Sequence, residues 1–319
     1  MATRFLIVRL DGLGDTVLTT PLLRAIRTHW TDAHVTVVAS PAGHACLEGH
    51  PGVDALITFS PQCTSLPEKI AFGRQLAKAR FDVTISATEK AWGYIWGAWS
   101  RAPRRIGFWA GAQKPLKSMA FRPTLTDRIE DVSDAHEAER HMRLLEPLGV
   151  SDAPGPLWLP ASPGPGEGPV ALHLSAKWLQ DGYDESWLSA LVDQLADAHP
   201  LVLTAGALEG AWAKAFCARL PRHRGIETVL DVSFAEWTQT LARCRHLVSM
   251  DTGAVHVGAA LKLPVIDVFP RAGADRCVPR WKPWMVPHAV VLRDPRVPSD
   301  DGMSIVQEIV AGSRKMMDE

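Results

Sequence analysis

The sequence lacks the features that define several large classes of protein. It contains only five cysteines in 319 residues, widely spaced and without a C-x-x-C pair. An odd set of this kind argues against a disulfide framework or a zinc site and favours a reducing compartment. No apolar run approaches the roughly 18 residues of a membrane span, and charged residues interrupt the apolar stretch near the N-terminus. We therefore expect a cytoplasmic protein without a signal peptide or a transmembrane segment.

The chain also lacks an excess of charge of either sign. Its 34 Lys and Arg residues against 35 Asp and Glu residues give a formal net charge of -1. No overall field therefore draws the protein to nucleic acid or to a membrane, and a local patch must bind any anionic partner. The apolar share of 46% is that of a globular protein, and the length is sufficient for two domains.

Short apolar runs alternate with amphipathic helical patterns along both halves of the chain. This alternation predicts α/β structure with parallel, doubly wound sheets. A Pro- and Gly-rich stretch at 149–169 is the best candidate for an interdomain linker. We expect two Rossmann-like domains, 1–155 and 168–300, facing each other across a cleft, and a C-terminal helix in 301–319 that packs back on the N-terminal domain. The predicted strands are 5–8, 34–39, 55–59, 81–87, 170–174, 201–205, 228–231, 246–250 and 265–269.

The first glycine-rich turn departs from the dinucleotide-binding fingerprint. Gly12-Leu13-Gly14 follows the first apolar run, but the third glycine is missing and Asp15 lies where a pyrophosphate would bind. A carboxylate there repels a diphosphate, but it could accept a proton from a hydroxyl nucleophile, and partial burial would make it a better base. The alternative is that Asp15 only caps the helix predicted at 16–30.

A second strand-to-helix turn has the opposite character. Asp251-Thr252-Gly253 opens a short helix, so the first backbone N–H groups and the helix dipole favour an anion. His256 follows about one turn later and could donate to a phosphate oxygen. The alternative is that Asp251 or Thr252 is an N-cap and His256 a structural histidine.

Residues 100–122 contain six basic side chains and no acid. Arginine guanidinium groups suit carboxylates and phosphates, and neighbouring tryptophans could stack on sugar rings. The alternative is a solvated basic loop beside a helix whose tryptophans face the core. Nucleic acid fits less well because the patch is short. The basic candidates are Arg101, Arg104, Arg105, Lys114, Lys117 and Arg122.

The segments "LIVRLDGLGDTVLTTPLLRAI" and "SMDTGAVHVGAALKLPVI", in this order, resemble glycosyltransferase family 9, the lipopolysaccharide heptosyltransferase family. The resemblance covers nearly the whole chain. It implies a GT-B fold with an N-terminal acceptor-binding domain and a C-terminal nucleotide-sugar-binding domain. It also implies inverting transfer of a heptose from ADP-heptose to a lipopolysaccharide inner-core acceptor, Kdo or a first heptose, at the cytoplasmic face of the inner membrane.

The resemblance further implies roles for individual residues. Asp15 would be the base. A phosphorylated, Kdo-bearing core displays the anions that the six basic residues suit by their charge, so we expect these residues to bind the acceptor. The chain has no Asp-x-Asp tripeptide, so we expect metal-independent transfer in which lysine and helix N–H groups stabilise the leaving diphosphate. The alternatives are a sugar-nucleotide epimerase of the GT-B type and a non-catalytic nucleotide- or glycan-binding relative. The donor-binding candidates are Ser175, Lys177, Glu209, Asp251, Thr252, Gly253 and His256.

Overall fold

The computed structural model divides the chain into two compact units, Met1–Pro160 and Ala161–Glu319. The boundary lies within the segment predicted as a linker. The structure describes residues 2–60, 62, 64–109, 119–130, 134–161, 164, 166–207, 209–220, 225–297 and 302–318.

The first unit is built on a parallel sheet. Its strands are β1 (Arg4–Arg9), β2 (His34–Ala39), β3 (Ala55–Thr58), β4 (Val83–Ser86), β5 (Arg104–Trp109) and β6 (Asp127–Glu130). They lie side by side in the order β3-β2-β1-β4-β5-β6. The helices described are α1 (Leu13–Val17), α2 (Thr20–His29), α3 (Pro41–Leu47), α4 (Leu66–Lys78), α5 (Ala91–Trp99) and α6 (Glu137–Arg143).

The second unit repeats this plan. Its strands are β7 (Val170–Leu174), β8 (Leu201–Ala205), β9 (Ile226–Leu230), β10 (Leu247–Met250), β11 (Val265–Pro270) and β12 (His288–Arg293). Their order is β12-β11-β10-β7-β8-β9, so in both units the strands, counted along the chain, lie 3-2-1-4-5-6. The helices described are α7 (Glu185–Ala198), α8 (Gly210–Arg219), α9 (Phe234–Ala242), α10 (Gly253–Ala260), α11 (Ala274–Trp281) and α12 (Gly302–Asp318).

The strands are apolar enough to be covered on both faces. The burial pattern of β7 and β8 is continuous, as parallel strands between two helical layers require. Apolar side chains of α7 and of the second sheet form one core in the C-terminal unit, and β1, β2 and α2 contribute to another in the N-terminal unit.

The structure corrects three expectations about the elements. The single helix predicted at 16–30 is two helices, α1 and α2, and Pro21 lies in the first turn of α2, where its missing N–H costs no helical bond. The segment read as a basic loop contains strand β5, and the chain continues after 265–269 into a further strand, β12.

The predicted C-terminal helix is present as α12, and its apolar side chains belong to the core of the C-terminal unit. Ile305, Val306 and Ile309 of α12 are buried in the core that includes α7. The Trp187 indole N–H donates to Gly302 O, and Ser313 Oγ lies 2.8 Å from His246 Nε2. The amphipathic pattern predicts a helix correctly but does not specify which sheet its apolar face covers.

Candidate active site

In each unit the strand order reverses between the first and the fourth strand. Ligands of open α/β sheets bind at such switch points, beyond the carboxyl ends of the strands. The loops concerned follow β1 and β4 in the first unit and β7 and β10 in the second. Both motif turns predicted from the sequence, Gly12–Asp15 and Asp251–Gly253, follow one of these strands.

Asp15 lies in the first turn of α1. The N-cap is Gly12, in an extended conformation (φ -69°, ψ -178°) and without a side-chain cap. The Asp15 side chain is 33% exposed, and its Oδ1 lies 3.1 Å from Nη2 of the buried Arg9. Burial raises the pKa of Asp15, while Arg9 and the Gly12 N–H oppose the rise. The carboxylate thus lies in the first turn of the helix with one third of its area exposed.

Besides the carboxylates, two uncharged groups contact the Arg9 guanidinium. Its Nη1 donates to Ala87 O and lies 3.1 Å from His141 Nε2. His141 Nδ1 lies 3.2 Å from Leu18 O, and Nε2 also lies 3.4 Å from the carboxylate of Glu137. Burial, reinforced by Arg9, lowers the pKa of His141 to about 3. The neutral imidazole therefore fixes the guanidinium that faces Asp15.

The loop after β4 contributes a second cation. Lys90 Nζ donates to Leu10 O at 2.8 Å and lies 3.7 Å from the carboxylate of Asp11. Asp11 is also 3.4 Å from Arg9 Nη1. Sequence analysis did not select Arg9, Asp11, Lys90 or His141. Arg9 is a charged residue at the end of the apolar strand β1, which could have drawn attention to it. The sequence does not show that its partner is His141, 132 positions away.

In the second unit, α10 begins at Gly253 with Thr252 as its N-cap. Thr252 Oγ1 accepts from the Ala254 N–H at 3.3 Å, so the capping interpretation of this residue is correct. The Val255 N–H also donates within the turn, to Thr252 O at 3.1 Å, which leaves the Gly253 N–H as the candidate donor to an anion. The Asp251 carboxylate lies 3.7 Å from Lys177 Nζ, and Lys177 also donates to the Asp251 carbonyl.

Lys177 belongs to a 3₁₀ turn, Ala176–Leu179, that directly follows β7. Its side chain is half-exposed. Trp178 in the same turn is fully buried and donates its indole N–H to His173 O at 2.8 Å. Ser175 precedes the turn and is buried, and its Oγ has no hydrogen-bond partner among the described residues. Glu209, half-buried, follows β8 at the start of α8, on the same edge of the sheet.

Two further polar side chains of this unit are buried. His256 of α10 is 3% exposed, and its ring lies 6.1 Å from that of Trp281. Asp267 of β11 is fully buried beside Ser249 of β10, and neither carboxyl oxygen has a hydrogen-bond partner in the described part of the chain. Burial and the neighbouring Asp251 raise the pKa of Asp267 well above its ordinary value. No sequence pattern singles out Asp267, whose burial therefore favours the protonated form.

The structure separates the basic candidates. Arg101, Arg104 and Arg105 lie at the start of β5, on the edge of the sheet opposite to Asp15. Arg104 Nη2 lies 2.8 Å from the Asp127 carboxylate. Arg105 donates to the carbonyls of Thr124 and Ala102. Lys114 and Lys117 lie outside the described residues.

Arg122 has a different environment. It lines a surface pocket of about 400 Å³ with Trp109, Arg128 and Glu130. Trp109 and Glu130 end β5 and β6, so this pocket opens on the same edge of the sheet as Asp15. The Arg128 guanidinium carbon lies 5.9 Å from the Trp109 ring centroid. Arg128 lies outside the basic segment 100–122 and is flanked by acidic residues, so the charge pattern of the sequence does not indicate it.

Within the described residues, no three His, Cys, Asp or Glu side chains form a group that could hold a metal ion. The same part of the chain contains no helix that is both long and apolar enough to cross a membrane.

The comparisons with known proteins agree with this arrangement. Residues 168–295 match the model of glycosyltransferase family 9 (heptosyltransferase). Lipopolysaccharide heptosyltransferase 3 of Escherichia coli is 22% identical over 295 residues, which cover 85% of this chain and 83% of that protein.

Solved structures share the fold over the whole length. The glycosyltransferase family 9 protein of Veillonella parvula DSM 2008 has a TM-score of 0.79 at 16% identity and covers 98% of this chain and 97% of its own. The E. coli heptosyltransferase WaaC with ADP-2-deoxy-2-fluoro heptose has a TM-score of 0.74 at 22% identity and covers 97% of this chain and 100% of its own.

Two units with this strand order and these switch-point loops have the GT-B fold of the solved heptosyltransferases. The chain resembles glycosyltransferase family 9 along most of its length, and the family model itself matches residues 168–295, within the second unit.

Proposed function

We propose that this enzyme transfers a heptose, with inversion, from ADP-heptose to a lipopolysaccharide inner-core acceptor. The E. coli relative is a lipopolysaccharide heptosyltransferase, and one solved neighbour holds an ADP-heptose analogue. The same support leads us to place the reaction at the cytoplasmic face of the inner membrane, with the enzyme peripheral to it.

The observation that carries the proposal is the state of Asp15. A carboxylate one-third exposed can reach a substrate hydroxyl, and a pKa raised by burial makes it a stronger base than a free aspartate. In the proposed reaction Asp15 takes the proton of the acceptor hydroxyl as its oxygen forms a bond to the anomeric carbon. The bond between that carbon and the diphosphate breaks, and ADP leaves with the electron pair.

The C-terminal unit supplies what the leaving diphosphate needs. Lys177 places a cation beside the Asp251 turn, and Thr252 and Gly253 open a helix whose dipole favours an anion. Ser175 has a buried hydroxyl without a partner among the described residues, so it could bind the donor without breaking an existing hydrogen bond. These groups together would make a metal ion unnecessary. Glu209 and Asp251 would accept hydrogen bonds from donor hydroxyls, and His256 would support the helix from within.

The acceptor side of the proposal rests on Arg122. Its pocket combines two guanidinium groups with an indole ring on the edge of the sheet that carries Asp15. Arginine binds carboxylate and phosphate in two-pronged geometry, and an indole can stack on a sugar face. We therefore assign Arg122 and Arg128 to an anionic group of the acceptor. Arg104 and Arg105 are already bound by internal partners and would support β5 instead.

The test is acceptor-dependent release of ADP. Purified enzyme is incubated with ADP-heptose, with or without delipidated inner-core acceptor, and released ADP is measured. We expect release only with the acceptor, and Asp15→Asn should lower turnover about 100-fold or more. Asp32→Asn, an exposed aspartate in the same unit, is the matched control.

Three results would contradict the proposal. Conversion of the donor without any acceptor would indicate an epimerase. Binding of ADP-heptose without turnover on any core acceptor would indicate a non-catalytic relative. Turnover near the wild-type value in Asp15→Asn would remove Asp15 from the role of base.

A further inference from the structure

Arg293, the last residue of β12, is a charged side chain buried to 99% of its area. None of the described carboxylates forms an ion pair with it, although buried arginines are ordinarily paired. It donates instead to two backbone carbonyls, from Nη1 to Trp178 O at 2.9 Å and from Nη2 to Lys177 O. The guanidinium thus binds the backbone of the turn that carries Lys177.

Aromatic rings fix the guanidinium in this position. Its central carbon lies 4.5 Å from the Tyr183 ring centroid and 5.8 Å from that of Trp187. Cation–π contacts of this kind strengthen when they are removed from water. Arg293 is therefore locked between the aromatic side chains at the start of α7 and the turn after β7.

The turn has only a few backbone hydrogen bonds of its own. The Gln180 N–H donates to Lys177 O at 3.3 Å, and Arg293 adds a second donor to that carbonyl and also binds Trp178 O. The Trp178 indole N–H restrains the turn further by donating a hydrogen bond to His173 O. Because its backbone is fixed on both sides, Lys177 can hold its amine at the Asp251 carbonyl before any ligand binds.

We propose that Arg293 is a positioning residue that acts through Lys177: by binding the carbonyls of Lys177 and Trp178, it sets the place of the amine at the Asp251 turn. A lysine with an unordered backbone loses more conformational freedom when it binds an anion, so fixing the turn in advance increases affinity. The inference rests on the proposed function in one respect only, that Lys177 binds the diphosphate of the donor.

The first test needs no nucleotide. The reactivity of each lysine amine with acetic anhydride is measured by peptide mass spectrometry in the wild type and in Arg293→Lys, relative to the exposed Lys214. We expect the labelling of Lys177 to rise severalfold in Arg293→Lys and to stay unchanged in Arg296→Gln. Arg296 is the matched control because it lies three residues further on, is exposed and binds Asp294. Unchanged labelling of Lys177 in Arg293→Lys would overturn the proposal.

The second test is a double-mutant cycle on ADP affinity, measured by calorimetry. Arg293→Lys should weaken ADP binding about fivefold in the wild-type background and less than twofold when Lys177→Met is also present, because contacting residues couple. The same weakening in both backgrounds would show a general structural role and would overturn the proposal.

Arg293→Gln provides a second variant if Arg293→Lys does not fold. It removes the guanidinium that binds both carbonyls without burying a charge, so Lys177 labelling should rise here too, and unchanged labelling would contradict the proposal. If the wild type binds neither ADP nor any other nucleoside diphosphate, the proposed function fails, whereas the labelling experiment still decides the role of Arg293.

Discussion

Both units have a lysine that bridges the two loops at the switch point, but the lysine comes from the opposite loop in each unit. In the first unit, Lys90 follows the fourth strand and donates to the turn after the first strand. In the second, Lys177 follows the first strand and donates to the turn after the fourth. Each amine lies 3.7 Å from an aspartate carboxylate, Asp11 or Asp251. One arrangement of strands thus gives two mirrored contacts between a lysine and a turn.

The two turns differ in the buried ionisable side chain that lies next to each of them. The first has the buried cation Arg9, which compensates two carboxylates and leaves Asp15 ionisable near the surface. The second has the buried carboxyl Asp267, whose pKa is raised by burial, while Lys177 lies half-exposed 3.7 Å from the Asp251 carboxylate. A shared fold thus provides the position of both turns, and under the proposed function the buried ionisable side chains beside each turn favour proton removal in the first unit and anion binding in the second.

The largest effect should follow from removing the buried cation of the first unit. Arg9→Met leaves the carboxylates of Asp11 and Asp15 without their partner, so unfolding free energy should fall by about 3 kcal/mol or more. The acid limb of kcat/KM should also move to higher pH, because Arg9 lowers the pKa of Asp15. Chemical denaturation and pH profiles measure the two effects. Arg143→Met, at a more exposed arginine of the same unit, should change neither, and equal behaviour of both variants would refute the role of Arg9.

The next effect concerns the exposed cation of the second unit. Lys177→Met should weaken ADP binding roughly tenfold or more, since a hydrogen bond from a charged donor contributes about 1.5–3 kcal/mol. Calorimetric titration with ADP measures the change. Lys214→Met is the control, because this lysine pairs with Asp231 on the surface. Equal affinity in Lys177→Met and the wild type would mean that the diphosphate binds elsewhere.

A smaller effect is expected at the pocket near β5 and β6. Arg122→Ala and Arg128→Ala should each raise the KM for the core acceptor by up to about tenfold, because exposed guanidinium groups bind anions more weakly than buried ones. The KM for the donor should stay constant. Arg101→Ala, at the opposite edge of the sheet, should leave both constants unchanged. A rise in the acceptor KM for this variant alone would move the acceptor site to the other edge.

The smallest effect is a dependence of stability on pH. The pKa of Asp267 is raised in the folded state, so the folded protein binds more protons than the unfolded one and stability falls as pH rises above the ordinary aspartate range. Asp267→Asn removes this slope and should raise the unfolding free energy by about 1 kcal/mol at neutral pH. Thermal unfolding from pH 4 to pH 8 measures both. A wild-type slope that the variant retains would show that Asp267 is not its source.

The turns of both sites could be predicted from the sequence because each is local. Gly12, Asp15, Thr252 and Gly253 lie within a few residues of the strand and helix that position them, and those elements have clear apolar patterns. The fold class followed from the same alternation and from the resemblance that the comparisons confirm.

The remaining features depend on contacts that no local pattern encodes. His141 supports Arg9 from 132 positions away, and Arg293 reaches Lys177 across 116. Strand β5 begins with two arginines, which is typical of a solvated basic loop. The internal partners that bind these arginines are visible only in the structure. In the sequence, Asp267 is a single polar residue in an apolar strand, and its complete burial follows only from the tertiary structure.

The division of roles between the units is tested most directly by measuring the turnover number and the ADP affinity of the same two variants, Asp15→Asn and Lys177→Met. The account predicts that Asp15→Asn loses turnover with unchanged ADP affinity, and that Lys177→Met loses ADP affinity. If Asp15→Asn weakens ADP binding as much as Lys177→Met does, the nucleotide contacts the first unit's turn and the account is contradicted.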